Sequence, residues 1–346
     1  MKNEIFKGLD FTWGEVDQAV RENKLLSFDL ELSRACNLRC IYCYAESGEK
    51  LPNEMSFREI KDVIEQCIDL GAQRMVIIGG GETLLYKRFF ELADFIHSKN
   101  LPFVAFTNGV LITKKIAQKL RENNINLAIK LNSFNEDTQN FLAGSIKSAG
   151  RRIKEAIEHL LSVDYASKNG PQLACETIIC KYNLHEIETL YRWCRKNNIL
   201  PYMEILTVQG NAKRHNLEIS VSKSFDLFKK LQKIDKQEFG FEWPLTPPIV
   251  GQNCKRMFYS AYIVANGNVQ PCPGIDINCG NIREKKIAEI IKGSSIFQNV
   301  RNIRDMIKGQ CKICKHSQIC YGCRGTALHH TGDYLNSDPT CWYNQK

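Results

Sequence analysis

Cys36-Asn37-Leu38-Arg39-Cys40-Ile41-Tyr42-Cys43 places three cysteines in one short segment, directly after the apolar–polar alternation of residues 26–33. The alternation predicts a β-strand, so the three thiols lie in a loop that follows a strand. Three thiolates are one fewer than a closed four-cysteine iron–sulfur site uses, and a cluster bound here would keep one iron open for an outside ligand. A zinc site or three core cysteines are the alternatives, but zinc sites favour two ligand pairs.

The cysteine content of the chain favours metal binding over disulfides. No apolar run approaches the ~20 residues of a membrane span, and residues 1–20 lack the apolar segment of a secretory signal, so we expect a cytoplasmic protein. Fifteen cysteines in such a chain indicate metal sites. The formal net charge is +9, but the Lys and Arg residues are dispersed and form no basic stripe with interleaved aromatics, which argues against a nucleic-acid-binding protein.

Strand and helix patterns alternate along residues 28–210. The predicted strands cover residues 26–33, 75–78, 103–106, 125–131, 173–179 and 202–206. The predicted helices between them cover residues 55–70, 86–100, 114–123, 151–163 and 184–197. Such alternation requires a parallel sheet with crossover helices, and six units are fewer than the eight of a closed barrel. We therefore expect an α/β fold, a partial (β/α)6 TIM-like barrel, with ligands at the carboxyl ends of its strands.

The chain of 346 residues is long enough for about two domains of ~150 residues each. We divide it into an N-terminal leader over 1–27, a core over 28–210, a connecting helix and linker over 211–250, and a small cysteine-rich α+β unit over 251–346. Eight of the fifteen cysteines fall in this last part, which favours a separate metal-binding unit there. It also contains two short alternating runs joined by Asn266-Gly267, a dipeptide typical of a β-hairpin turn.

The motif at residues 36–43 resembles the CxxxCxφC signature of the radical S-adenosylmethionine (radical SAM) enzymes, where φ is an aromatic residue, here Tyr42. The resemblance implies a [4Fe–4S] cluster on Cys36, Cys40 and Cys43, whose open iron chelates the amino and carboxylate groups of SAM. One electron from the reduced cluster would then break the sulfonium–C5′ bond. The resulting 5′-deoxyadenosyl radical would abstract hydrogen from an unactivated C–H bond of the substrate.

Residues that end the predicted strands resemble the SAM contacts of the family. Gly79-Gly80-Gly81-Glu82 follows the second strand like the GGE motif of the family, although Thr83 replaces the usual proline. The resemblance implies that Gly80, Gly81 and Glu82 bind the SAM ammonium group and that Ser133 contacts the ribose or carboxylate. The other implied or alternative contacts on this rim are Tyr42, Thr107, Asn108, Lys130, Asn132 and Glu176. A plain glycine turn, helix caps and a core tyrosine are the competing interpretations.

The cysteines of residues 251–346 resemble those of the SPASM extension of radical SAM enzymes. Cys254 precedes a Gly267-x4-Cys272 element, and a later block reads Cys311-x2-Cys314-x5-Cys320-x2-Cys323, one residue shorter than the family pattern before its last cysteine. The resemblance implies two auxiliary [4Fe–4S] clusters, and thus three clusters in the chain. The distal cluster would use Cys311, Cys314, Cys320 and Cys341. The proximal cluster would use Cys254, Cys272 and Cys323, with Cys279 as a fourth ligand or with one open iron.

Zinc is the alternative metal for these eight cysteines, because paired C-x2-C motifs also suit two structural zinc sites. The remaining cysteines lie in predicted helices or in or beside a predicted strand, and we expect them to be buried structural thiols. They are Cys67, Cys175, Cys180 and Cys194.

The resemblance implies an enzyme, a radical SAM oxidoreductase or maturase. SPASM enzymes mostly modify peptides or proteins, so the first hypothesis is the oxidative modification of a peptide or protein by crosslinking, epimerisation or side-chain oxidation. Residues 1–27 are too short for the N-terminal peptide-recognition domain that such enzymes often carry, which counts against it. The second hypothesis is a maturase that acts on a metal or tetrapyrrole cofactor, and the third is a non-catalytic iron–sulfur electron carrier or scaffold. An enzyme of this class would also need an external one-electron donor of the ferredoxin or flavodoxin type.

Overall fold

The computed structural model describes residues 11–247, 249–251 and 254–344. The first ten residues of the predicted leader, Pro248 of the predicted linker, and residues 252–253 and 345–346 of the predicted cysteine-rich unit lie outside the described residues. The described strands form one sheet in the order β7-β6-β5-β4-β3-β2-β1-β8-β9. They are β1 Phe28–Leu30, β2 Met75–Ile77, β3 Phe103–Thr107, β4 Asn126–Lys130, β5 Leu173–Ile179, β6 Leu200–Ile205, β7 Val250–Gly251, β8 Tyr262–Ile263 and β9 Val269–Gln270.

The helices of the first 234 residues mostly connect these strands, and the later helices are short. The former are α1 Trp13–Arg21, α2 Phe57–Asp69, α3 Phe89–Ser98, α4 Lys114–Glu122, α5 Glu136–Leu142, α6 Ala149–Ser162, α7 Ile187–Lys196 and α8 Val221–Ile234. The latter are α9 Arg256–Tyr259, α10 Ile287–Gly293, α11 Ser295–Arg301, α12 Ile303–Met306, α13 Gly309–Ile313 and α14 Arg324–Thr331. Helix α5 and strand β7 have no counterpart in the sequence prediction, whereas the other core elements match it within a few residues at each end.

Strands β1 to β6 form a parallel sheet in chain order, each paired with its neighbour in the sequence, which confirms the predicted partial (β/α)6 barrel. The barrel does not close, because β1 pairs on its other side with β8 and β6 pairs with β7. Alternate side chains of the strands pack outward against the helices, where Phe28, Ile77 and Leu127 belong to the main core. The inward positions form a smaller apolar group that includes Phe106 and Tyr202.

The cysteine-rich part of the chain contributes strands to both edges of the core sheet. Strand β8 runs parallel to β1, with Asp29 opposite Tyr262, and β9 completes the predicted hairpin. At the other edge β7 runs antiparallel to β6, so the predicted boundary near residue 251 falls within a strand of the shared sheet. None of the described helices is both long enough and apolar enough to cross a membrane.

Candidate active site and cluster-binding cysteines

A cavity of about 280 Å³ opens at the carboxyl ends of the parallel strands. One wall is the loop that carries Cys36, Cys40 and Cys43, and the floor consists of residues that end β2 to β6. The opposite wall comes from the cysteine-rich part of the chain and includes Cys254 and Cys272. The cavity lies where parallel α/β folds usually bind their ligands.

The three thiols of the first loop lie close enough to affect one another electrostatically. Burial, with a smaller contribution from neighbouring thiols, raises the pKa of Cys36, and raises that of Cys40 to about 12. Backbone N–H groups point at the sulfurs: that of Leu38 lies 3.5 Å from Cys36 Sγ and that of Ser47 lies 3.5 Å from Cys43 Sγ. Such donors favour thiolates, so this donor set fits an iron–sulfur cluster with one iron open towards the cavity.

Among residues 11–247, 249–251 and 254–344, no three Cys, His, Asp or Glu side chains converge on a point that could hold a single metal ion. Each cysteine of a [4Fe–4S] cluster binds a different iron, so its ligands stand around a body several ångströms wide. The spread of the thiols is therefore compatible with the cluster that the sequence predicts.

The glycine-rich turn packs directly against the cluster loop. The N–H of Gly81 donates to the carbonyl of Ser33 at 2.6 Å, and the N–H of Glu82 donates to that of Ala35 at 2.9 Å. A Cβ atom on Gly81 would overlap the Ala35 carbonyl, and Gly80 has a φ of +58°, which favours glycine. The glycines therefore allow the turn to pack closely against the cluster loop. This role is separate from the predicted contact of the turn with SAM.

Glu82 links the turn after β2 to the end of β3. Its buried carboxylate accepts hydrogen bonds from Thr107 Oγ1 at 2.6 Å, from the N–H of Asn108 at 2.7 Å and from the N–H of Leu84 at 3.0 Å. Burial raises the pKa of Glu82, and these three donors oppose the rise. The structure thus brings together three of the predicted SAM contacts: Glu82, Thr107 and Asn108.

Thr83 stands where the GGE motif of the family has proline. Its buried hydroxyl donates to the carbonyl of Phe106 at 2.7 Å, and Phe106 belongs to β3. The threonine therefore fixes the chain after Glu82 by a hydrogen bond instead of by a ring.

Two predicted contacts at the end of β4 have other partners. Ser133 is fully buried and its hydroxyl donates to Glu186 Oε1 at 2.6 Å, and it does not line the cavity. Asn132 donates to the hydroxyl of Tyr42 at 2.8 Å. Tyr42 itself lines the cavity beside the cluster loop. The geometry thus supports a ligand contact for Tyr42 and a structural role for Ser133.

A row of charged side chains on the cavity floor is only partly predicted from the sequence. Lys130 on β4 forms an ion pair with Glu176 on β5 at 2.5 Å, and Glu176 hydrogen-bonds Glu204 on β6. Burial, followed by the charge of Glu176, raises the pKa of Glu204 to about 8. Lys130 and Glu176 appear among the predicted alternatives, but Glu204 does not. The sequence signal for it is a single carboxylate within an otherwise apolar strand.

The row continues to the cysteine-rich wall through Arg256. Its guanidinium donates to the hydroxyl of Tyr202 at 3.1 Å and lies 3.5 Å from Asp29 Oδ2. With Lys130, Glu176 and Glu204, Arg256 forms a row of two cations and two carboxylates that lines the cavity.

The structure gathers Cys254, Cys272 and Cys323 at the wall opposite the first cluster loop. Burial raises the pKa of Cys272, and the charges of Cys254 and Cys323 contribute next. Cys279 lies elsewhere: its thiol donates to the carbonyl of Ile277 at 3.6 Å and does not line the cavity. The thiols of Cys254, Cys272 and Cys323 thus match the implied proximal set, and Cys279 does not join them.

The four thiols of the implied distal set lie outside the cavity. They are Cys311, Cys314, Cys320 and Cys341. Burial raises the pKa of Cys320 to about 11, and Cys311 and Cys314 add to the rise. Burial also raises the pKa of Cys341 to about 12, with smaller contributions that include Cys320 and Cys311. Outside these groups, four more cysteines are buried in apolar clusters, as expected: Cys67, Cys175, Cys180 and Cys194.

Comparisons with known proteins agree with this geometry. Residues 30–194 match the model of the radical SAM superfamily, and residues 254–323 match that of SPASM, an iron–sulfur cluster-binding domain. The chain is 28% identical over 340 residues to the AdoMet-dependent heme synthase of Methanosarcina barkeri, a match that covers 90% of this chain and 95% of the relative. It is 23% identical to the Fe-coproporphyrin III synthase of the same organism, with 91% and 87% covered.

Among solved structures, SuiB of Streptococcus suis bound to S-adenosylmethionine has a similar fold, with a TM-score of 0.73 and 16% identity. The match covers 94% of this chain and 80% of that protein. The two family matches cover the cluster loop, the glycine-rich turn and seven of the eight later cysteines. The chain therefore belongs to the radical SAM superfamily, as an enzyme with a SPASM domain that binds [4Fe–4S] clusters and SAM.

Proposed function

We propose that this enzyme matures a tetrapyrrole, with an iron porphyrin as its substrate. The observation that carries the proposal is the 28% identity to a heme synthase over 90% of this chain and 95% of the relative. A second similar protein, the Fe-coproporphyrin III synthase, is also named for an iron tetrapyrrole. This choice favours the second hypothesis drawn from the sequence over the first, peptide modification.

The similarity to SuiB supports the fold and carries no argument for a peptide substrate, because the identity is 16%. The cavity has mostly apolar walls, which include Leu38, Phe106 and Met257, and such walls suit the flat apolar ring of a porphyrin. A substrate in this cavity would lie between the first cluster loop and the proximal cysteines.

The bound cluster and SAM would supply one-electron cleavage of SAM and abstraction of a hydrogen atom. We assign the first cluster to Cys36, Cys40 and Cys43, the proximal one to Cys254, Cys272 and Cys323, and the distal one to Cys311, Cys314, Cys320 and Cys341. Around the first site, Glu82 holds the strand ends in place and Tyr42 covers one side of the cavity. On the floor, the raised pKa of Glu204 makes this carboxyl group the candidate proton donor to the substrate.

The test is substrate-dependent cleavage of SAM by the anaerobically reconstituted enzyme. We expect iron coproporphyrin III to shift its Soret band on binding and to increase the formation of 5′-deoxyadenosine in the presence of dithionite. Metal-free coproporphyrin III and an unrelated peptide serve as controls. SAM cleavage without any response to the iron porphyrin would refute the substrate class while leaving the radical SAM assignment intact.

A further inference from the structure

The most exposed large apolar side chains of the described residues lie beside the distal cysteines. Ile313 is 77% exposed and Ile319 is 56% exposed, and they directly precede Cys314 and Cys320. Met306 and Tyr343, each 40% exposed, lie in the same region. Single exposed apolar residues are ordinary, but here four of the eight large ones in the described part of the chain flank one group of thiols.

Contacts within and between their segments bring these residues into one region beside the distal cysteines. The ring of His316 packs on that of Tyr343, with 4.6 Å between ring centroids. Lys312 Nζ donates to the carbonyl of Asp305 at 2.8 Å, and the N–H of Ile319 donates to the carbonyl of His316 at 3.0 Å. We call this surface the distal face and define it by Met306, Lys312, Ile313, Lys315, Ile319 and Tyr343.

The distal face is basic around its apolar residues. Residues 306–320 contain Lys308, Lys312 and Lys315 and neither Asp nor Glu. Lys308 forms an ion pair with Asp333, whereas Lys312 donates to the uncharged backbone carbonyls of Arg304 and Asp305. The side chain of Lys315 is exposed. An apolar centre with positive charges around it is complementary to an acidic protein surface.

The thiols beneath the distal face do not line the cavity, unlike the proximal set. A cluster at Cys311, Cys314, Cys320 and Cys341 would therefore exchange electrons with a partner at the outer surface. Encounters between redox proteins use small interfaces, below about 1,200 Å² in total, which is compatible with a few exposed apolar residues and lysines.

We propose that the distal face is the docking site of a small acidic electron-transfer protein, which passes electrons to or from the distal cluster. The inference does not depend on the tetrapyrrole substrate and rests only on an iron–sulfur cluster at the four distal cysteines. It assigns a surface of this chain to the external redox partner that enzymes of this class require.

The test compares the double variant Ile313→Glu/Ile319→Glu with the control Phe141→Glu/Tyr182→Glu. The control pair is similarly apolar, 39% and 40% exposed, and lies away from the distal cysteines. The probe is an acidic bacterial-type ferredoxin, whose binding to each reconstituted enzyme is measured by biolayer interferometry under anaerobic conditions. We expect the first variant to bind about tenfold or more weakly and the control to bind like the wild type.

Two further measurements separate docking from damage to the cluster. Iron content, and SAM cleavage driven by dithionite, should be equal in both double variants, because dithionite does not need the docking site. The single variant Lys315→Glu should weaken ferredoxin binding at low salt, and this difference should shrink as salt screens the charges. Equal ferredoxin binding by wild type, Ile313→Glu/Ile319→Glu and Lys315→Glu, or no binding by the wild type, would overturn the proposal.

Discussion

Glu82 is the residue that connects the ends of two strands beside the first cluster loop. Its carboxylate accepts from Thr107, Asn108 and Leu84 while it faces the cavity beside the cluster loop. The motif could be predicted from the sequence, since four adjacent residues carry it. The three donors could not, because Thr107 at the end of β3 and Asn108 directly after it meet Glu82 only in the folded sheet.

We expect Glu82→Gln to weaken SAM binding by about tenfold to a hundredfold. A hydrogen bond to a charged group contributes roughly 1.5–3 kcal/mol, and ~1.4 kcal/mol corresponds to a factor of ten. The amide would also place an NH2 group, itself a donor, against a backbone N–H or the Thr107 hydroxyl, so one of the present hydrogen bonds would be lost. Equilibrium dialysis with SAM measures the affinity, and the exposed Glu284→Gln is the control. Unchanged affinity in Glu82→Gln would contradict the placement of SAM at this turn.

The isolation of Cys279 gives a second prediction at the scale of a residue. Because its thiol contacts Ile277 and lies apart from Cys254, Cys272 and Cys323, we expect Cys279→Ala to retain all iron and an unchanged EPR spectrum of the reduced enzyme. Cys272→Ala is the matched comparison and should lose the proximal cluster, about four irons. Loss of iron from both variants would mean that Cys279 is a ligand after all.

At the scale of elements, the parallel register places the charged row on the cavity floor. Lys130 lies directly opposite Glu176, and Glu204 lies two positions beyond the residue that Glu176 faces. Long periodic elements such as α2 and its capping box could be predicted because their signals are local. Strand β7 could not, since its two residues are a strand only through their bonds to β6. The contact between Glu204 and Glu176 could not be predicted either, because it also depends on the pairing of two strands.

The raised pKa of Glu204 predicts a pH-dependent stability. Its ordinary pKa is 4.5 and its folded value is about 8, so between these values the folded protein holds a proton that the unfolded chain has released. This contribution to the free energy of unfolding is therefore complete below pH 4.5 and is lost as the pH rises to about 8. The loss is at most ~1.4 kcal/mol per pH unit.

Glu204→Gln removes this titration and keeps the shape of the side chain. We expect the melting temperature of the variant, relative to the wild type, to increase from pH 5 to pH 8 in anaerobic scanning fluorimetry. The exposed Glu284→Gln should show no such trend. A constant difference between Glu204→Gln and wild type across this range would show that Glu204 is ionised throughout.

At the scale of the whole molecule, the cavity is formed by both parts of the chain, and each supplies cysteines to it. The resemblance of the sequence to SPASM enzymes implies the cysteine sets. It does not predict that Arg256, two residues after Cys254, reaches Asp29 and Tyr202 on the core strands. Such a contact depends on how β8 and β7 join the sheet, which no short stretch of sequence encodes.

Three cysteine groups predict about twelve irons in each reconstituted chain, four for each cluster. Replacing Cys36, Cys40 and Cys43 together with Ala should leave about eight irons and abolish SAM cleavage, because we assign the SAM-binding cluster to these thiols. Iron and zinc are measured by plasma mass spectrometry. About four irons with stoichiometric zinc in the wild type would refute the two auxiliary clusters.

The shared nine-stranded sheet also limits how this protein can be divided or recombined. A chain cut near residue 250 would expose the edges of β1 and β6, whose backbone groups now bond β8 and β7, and unpaired edges promote aggregation. A chimaera that exchanges cysteine-rich parts between related enzymes would have to carry over the strand pairing at both edges. Grafting new chemistry onto this scaffold is therefore best attempted by changing cavity residues within one intact chain.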